Sequence, residues 1–114
     1  MIDPASFKTD HIFEISAFVG QYSFRISELP TVEIRIKVWM TDASYGGDRY
    51  TYTISHHVHT PTQIASYYPS APFGATEEAT VRRAIRDTLT FYTGAISAGH
   101  KPSADWFVED EDFD

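Results

Sequence analysis

The chain has 114 residues, a formal charge of −7 and no cysteine. That length fits one domain, and the lack of cysteine excludes disulfides, thiolate metal centres and cysteine nucleophiles. The acidic total argues against a protein that grips nucleic acid through its phosphates, and 8 Phe, 7 Tyr and 2 Trp argue against a disordered chain.

No basic stretch leads into an apolar run near Met1, and no segment reaches the ~18 consecutive apolar residues of a membrane span. The expectation is a cytoplasmic protein without a membrane partner. From His11 to Phe18, alternation suggests a first strand, and Gly20-Gln21 is expected to turn the chain into a second, Tyr22 to Ser27. Leu29-Pro30 should end that strand, because proline has no N–H to give a ladder.

The third strand carries the clearest pattern. Val32, Ile34, Ile36, Val38 and Met40 fall on one face, while Glu33, Arg35, Lys37 and Trp39 fall on the other. A fourth, Arg49 to Thr60, sets Tyr50, Tyr52, Ile54, His56 and Val58 against Thr51, Thr53, Ser55, His57 and His59. A tight Gly46-Gly47 loop would pair Tyr45 with Asp48 and bring Thr51 and Thr53 to the face of Met40 and Val38. Burying both apolar sets requires a longer loop or a bulge, and the expected form is a loop spanning about Asp42 to Asp48 with a glycine at positive φ.

Residues 61–75 are irregular, with a short helical turn expected over Thr62 to Tyr67. Their large apolar side chains should lie over an open edge of the core. Thr76 is the expected N-cap of a helix reaching residue 97, with Glu77 and Glu78 at the positive end of its dipole. Val81, Ile85, Leu89, Tyr92 and Ile96 form its expected core stripe, widened by Ala84, Thr88, Phe91 and Ala95. Gly99 and Pro102 end it. The expected fold class is therefore α+β, a four-stranded antiparallel meander sheet packed against one long C-terminal helix, with an acidic-aromatic tail. Residues 1–108 form the expected domain and 109–114 a flexible acidic tail.

The chemistry is sparse. His57 and His59 share a strand face and could give one metal two nitrogens, but a zinc site needs three or four ligands, so no metal, cofactor or catalytic residue is assigned. The expected reading of these histidines is exposed or locally hydrogen-bonded groups on the polar face. Gly46-Gly47 lacks the lysine of a phosphate-binding loop, and there is no Gly-x-Ser-x-Gly elbow. Arg82, Arg83 and Arg86 make a short basic helix face, read as an ordinary solvated one.

Aromatic residues draw more attention. Trp39 and Phe18 stand among polar neighbours on what should be the water face of the sheet. Residues 104–114 mix Trp106, Phe107 and Phe113 with closely spaced carboxylates. This stretch resembles the acidic–aromatic terminal peptides by which some DNA-maintenance proteins recruit partners with a basic, apolar-lined pocket. Trp106 and Phe107 are expected to hold the domain or its assembly together, and 109–114 to stay in water.

Phe18, Trp39, Trp106, Phe107 and Phe113 are thus the candidate interaction residues of a non-enzymatic interaction or adaptor protein that self-associates or binds a protein partner. No small-molecule ligand is indicated. Two alternatives remain open. One is a small acidic inhibitor masking a basic nucleic-acid-binding surface. The other is a metal-dependent enzyme using His57 and His59.

Overall fold

The computed structural model describes residues 2–42 and 47–114. A four-stranded antiparallel sheet in the order β1 (Ser16–Ile26), β2 (Leu29–Thr41), β3 (Tyr50–Ile54), β5 (Phe73–Gly74) carries one long helix on one face, and a two-stranded ladder of β4 (His56–Val58) and β6 (Phe107–Glu109) adjoins it. The expected fold class holds, but its strands are not all those expected.

The long alternating run becomes β2, Leu29–Thr41, and the chain before it forms one strand, β1, Ser16–Ile26. Gly20 does not turn the chain. It lies inside β1, at a register shift between the pairs Phe18↔Trp39 and Gly20↔Val38. One extra residue there reverses the alternation. Phe18 therefore falls on the outer face with Trp39, whereas Tyr22 and Phe24 pair with Ile36 and Ile34 on the helix face. The true turn is at Ser27 and Glu28, where Ile26 pairs with Leu29. Leu29-Pro30 opens a strand instead of ending one. Pro30 is accommodated because β2 is irregular opposite Arg25, whose guanidinium donates to the Pro30 carbonyl at 2.7 Å.

β2 pairs with β3, Tyr50–Ile54, in the even register that burying both apolar sets requires: Ile36↔Ile54, Val38↔Tyr52 and Met40↔Tyr50. Ile34, Ile36 and Val38 are completely buried. The Thr41 amide donates to the Arg49 carbonyl at 2.6 Å, and Gly47 takes φ +104° in the connecting loop. The rest of the expected loop, residues 43–46, lies outside the described residues.

The expected fourth strand is divided. At Ser55 the chain leaves β2, and β4, His56–Val58, pairs with β6, Phe107–Glu109. β5, Phe73–Gly74, covers the far edge of β3, with the Pro72 carbonyl accepting from the Tyr52 amide at 3.1 Å. No helical turn forms over 62–67; those residues make turns and bends, and Ile64 projects into solvent.

The helix α1, Glu77–Ser97, starts at Thr76, whose hydroxyl accepts from the Ala79 amide at 3.0 Å. It ends with Gly99 at φ +93° and the His100 amide on the Ala95 carbonyl, a left-handed cap. Its core stripe is rotated from the expected one. Thr80, Ala84, Thr88, Tyr92 and Ala95 are buried, while Val81, Ile85 and Leu89 are partly covered and Ile96 is exposed. Small residues set the helix close to the sheet. A Cβ on Gly74 would lie 2.4 Å from the Thr80 hydroxyl and 3.0 Å from its amide nitrogen. The two threonine hydroxyls cost little here, because each donates to the carbonyl four residues earlier, Thr76 at 2.7 Å and Ala84 at 3.0 Å.

Candidate interaction face

Because β2 alternates strictly, its odd-numbered side chains share the sheet face opposite α1. Phe18 and Trp39 meet there as cross-strand partners, ring centroids 5.5 Å apart and planes at 72°, an edge-to-face pair. Phe18 remains 52% exposed and Trp39 is half-buried. Two positions along β2, Lys37 and Arg35 continue the same face.

The acidic stretch comes back onto that face. Phe113 is only 8% exposed, with its ring 4.9 Å from the Arg35 guanidinium and 4.5 Å from the Lys37 ammonium. Arg35 donates two bonds to the Asp114 carboxylate, at 3.2 and 3.0 Å, and Lys37 donates to the Phe113 carbonyl at 3.0 Å. Arg35 therefore holds the Asp114 carboxyl below the usual carboxylate range, with Lys37 adding to the effect. Of the stretch 109–114 expected to stay in water, Glu109, Glu111, Asp112 and Asp114 are exposed, whereas Phe113 is covered and Glu109 ends a strand. The cationic pair on β2 was visible in the sequence, but its occupant was not.

Trp106 and Phe107, by contrast, are core residues. They pack on Tyr92 of α1 with centroid separations of 5.9 and 6.1 Å, on the helix side of the sheet. A docking role at the surface does not fit them in this arrangement. It is Phe113, and not Trp106 or Phe107, that covers part of the face displaying Trp39.

The histidines do not converge. His57 is 5% exposed rather than on a polar face, because the change of partner strand at Ser55 turns β4 inward. Its Nδ1–H donates to the Tyr67 carbonyl at 3.1 Å, Nε2 lies 2.8 Å from the Asp110 carboxylate, and Tyr68 stacks on the ring at 4.0 Å. His57 pulls the Asp110 carboxyl below its usual range, helped by the Asp112 amide. His59 instead approaches the Gln63 carbonyl, at 3.3 Å, and His56 the Ser55 hydroxyl, at 2.8 Å. Burial pushes the His56 imidazole down. Among the described residues no group of three or more His, Asp or Glu could hold a metal ion. Both nitrogens of His57 face protein acceptors, the Tyr67 carbonyl and the Asp110 carboxylate.

The helix arginines are likewise separated by role. Arg83 donates to the carbonyls of Ala71 and Phe73, at 3.1 and 2.6 Å, and so fastens β5, while Arg82 and Arg86 are exposed. An open cleft of about 540 Å³ lies between Tyr22 and the residues Glu77, Glu78, Val81 and Arg82, away from the aromatic face. The Tyr22 hydroxyl donates to Glu77 there, which pushes the phenol up. Among the described residues no helix is long and apolar enough to cross a membrane. Comparisons with protein-family models, with curated proteins and with solved structures give no match.

Proposed function

We propose that this chain is a non-enzymatic protein-interaction module, adaptor-like in character, that self-associates through the outer face of its sheet. The observation that carries the reading is the Phe18–Trp39 pair, two large aromatic side chains set edge to face on an exposed sheet surface. Aromatic clusters of this kind are enriched where protein surfaces meet and dominate the energetics of such contacts. The lack of a three-residue metal-binding group among the described residues, and the engagement of His57 by Tyr67 and Asp110, favour binding over chemistry. The acidic-inhibitor alternative loses support because Asp110 and Asp114 are already paired with His57 and Arg35.

Sedimentation velocity on the wild-type chain and on a Phe18→Ser/Trp39→Ser double variant tests this. The wild type should sediment increasingly above monomer between about 1 and 100 μM, and the double variant should remain monomeric with its helix signal intact. A monomeric wild type over that range, or an unchanged assembly in the double variant, sinks the reading.

A further inference from the structure

Self-association through the outer face leaves open what the Arg35–Lys37 half of that face contributes. These two cations stand two residues apart on β2, and each meets the same dipeptide. Arg35 grips the Asp114 carboxylate with two parallel bonds, the fork geometry that makes guanidinium–carboxylate recognition directional. Lys37 donates to the Phe113 carbonyl and lies 3.6 Å from Asp114. Both cations lie against the Phe113 ring. Charge, an aromatic ring and a backbone carbonyl are all recognised at once, which is the way a peptide-binding site reads a ligand.

We infer that the Arg35–Lys37 surface is a receptor site for an acidic segment bearing an aromatic residue, occupied within the chain by Phe113–Asp114, and that its occupant between molecules is the same segment of a second copy. Charge complementarity selects that occupant. Residues 109–114 carry five carboxylates and one aromatic ring, and the geometry already on the sheet shows that this order of residues fits. Asp110 is tethered by His57 and the Ser55 carbonyl, so residues 111–114 are the part free to exchange without dismantling β6. The tethered segment competes at an effective concentration in the millimolar range, so binding in trans is masked in the wild type. The inference rests on the interaction reading of this face but uses different residues from Phe18 and Trp39.

The test uses full-length variants and the peptide Glu-Asp-Glu-Asp-Phe-Asp, titrated as a fluorescein conjugate. The Phe113→Ser/Asp114→Ser variant keeps the receptor and removes the occupant, and Asp114→Ser alone serves if the double change impairs folding. Peptide affinity should rise at least tenfold over wild type in either variant and vanish when Arg35→Glu is added. Equal affinity for the variants and wild type, or binding that survives Arg35→Glu, overturns the receptor site. Mixing the receptor variant with an Arg35→Glu/Lys37→Glu chain, which keeps the segment and lacks the receptor, should give a one-to-one complex. Peptide binding without that complex overturns the second copy as occupant. Phe18→Ser/Trp39→Ser leaves Arg35 and Lys37 in place, so loss of wild-type assembly in that variant with no peptide binding here would fail this inference alone.

Discussion

Ser55 and Arg35 exchange hydrogen bonds in an unusual way. The Arg35 amide donates to the Ser55 hydroxyl at 2.8 Å, while the Ser55 amide donates to the Arg35 carbonyl at 2.9 Å. The hydroxyl takes the place a backbone carbonyl would hold in a regular ladder. That frees the Ser55 carbonyl to accept from the Asp110 amide at 2.8 Å, which starts the β4–β6 ladder. Ser55→Ala would strand the part-buried Arg35 amide and should destabilise the domain by about 1–3 kcal/mol. Denaturant melts measure this, and a loss under about 0.5 kcal/mol would show that the hydroxyl is dispensable.

The rotated helix stripe reverses the usual ranking of core substitutions. Ala84 is fully buried in the core, whereas Leu89 is only partly covered. Ala84→Leu should cost about 1–3 kcal/mol through overpacking. Leu89→Ala should fall at or below the lower end of the roughly 2–5 kcal/mol seen for enclosed leucines. The comparison is made in parallel urea melts, and a larger loss for Leu89→Ala would place the stripe where its apolar periodicity suggests.

Phe113 is the one aromatic of the acidic stretch that leaves the helix side of the core. Phe113→Ala should reduce stability by about 1.5–3 kcal/mol, the value of burying such a ring. Glu111→Gln, at an exposed position, should leave the melting temperature unchanged. Calorimetry on the two variants checks both expectations, and a silent Phe113→Ala would mean that its packing contributes nothing.

Acid should loosen the same segment. The carboxyls of Asp110 and Asp114 are held down by His57 and Arg35 respectively. A depressed carboxylate lends stability above its unfolded pKa of about 3.9 and loses it as pH falls through its folded value. The contacts of 110–114 should therefore persist from neutral pH down to about pH 4 and be lost as pH falls further. The Phe113 ring resonances report this directly by NMR, and their release between pH 6 and 5 would contradict the assignment.

Much of the architecture could be read from residue order. The strict alternation of Val32 to Met40 located the central strand, and burying both faces correctly demanded the even register with Tyr50 to Ile54. Thr76 and Gly99 marked the helix ends. What failed did so where geometry breaks periodicity. The irregularity between Phe18 and Gly20 reverses the alternation within one strand, so a glycine looked like a turn. Ser55 changes the partner of its strand without any break in the apolar pattern, which hid the burial of His57. On the helix, Thr80 and Thr88 can be buried because they are small and satisfy their own hydroxyls, a property no hydropathy pattern reveals. Of the interaction face, Phe18 and Trp39 were legible as misplaced aromatics, whereas the meeting of Arg35 and Lys37 with Phe113 depends on a contact between residues 79 positions apart for the Arg35–Asp114 bond.

The switch at Ser55 also orders events in time. The β4–β6 ladder and the bond beside it between His57 and Asp110, 53 positions apart, close a large loop, whereas the β1–β2 hairpin and α1 can form from local contacts. A nascent chain that has emerged only as far as residue 105 can assemble the four-stranded sheet and its helix, yet it displays Tyr92 and the bare edge of residues 56–58. Arrival of Trp106 and Phe107 seals both at once. The surfaces bare before that last pairing are ones that the finished protein hides.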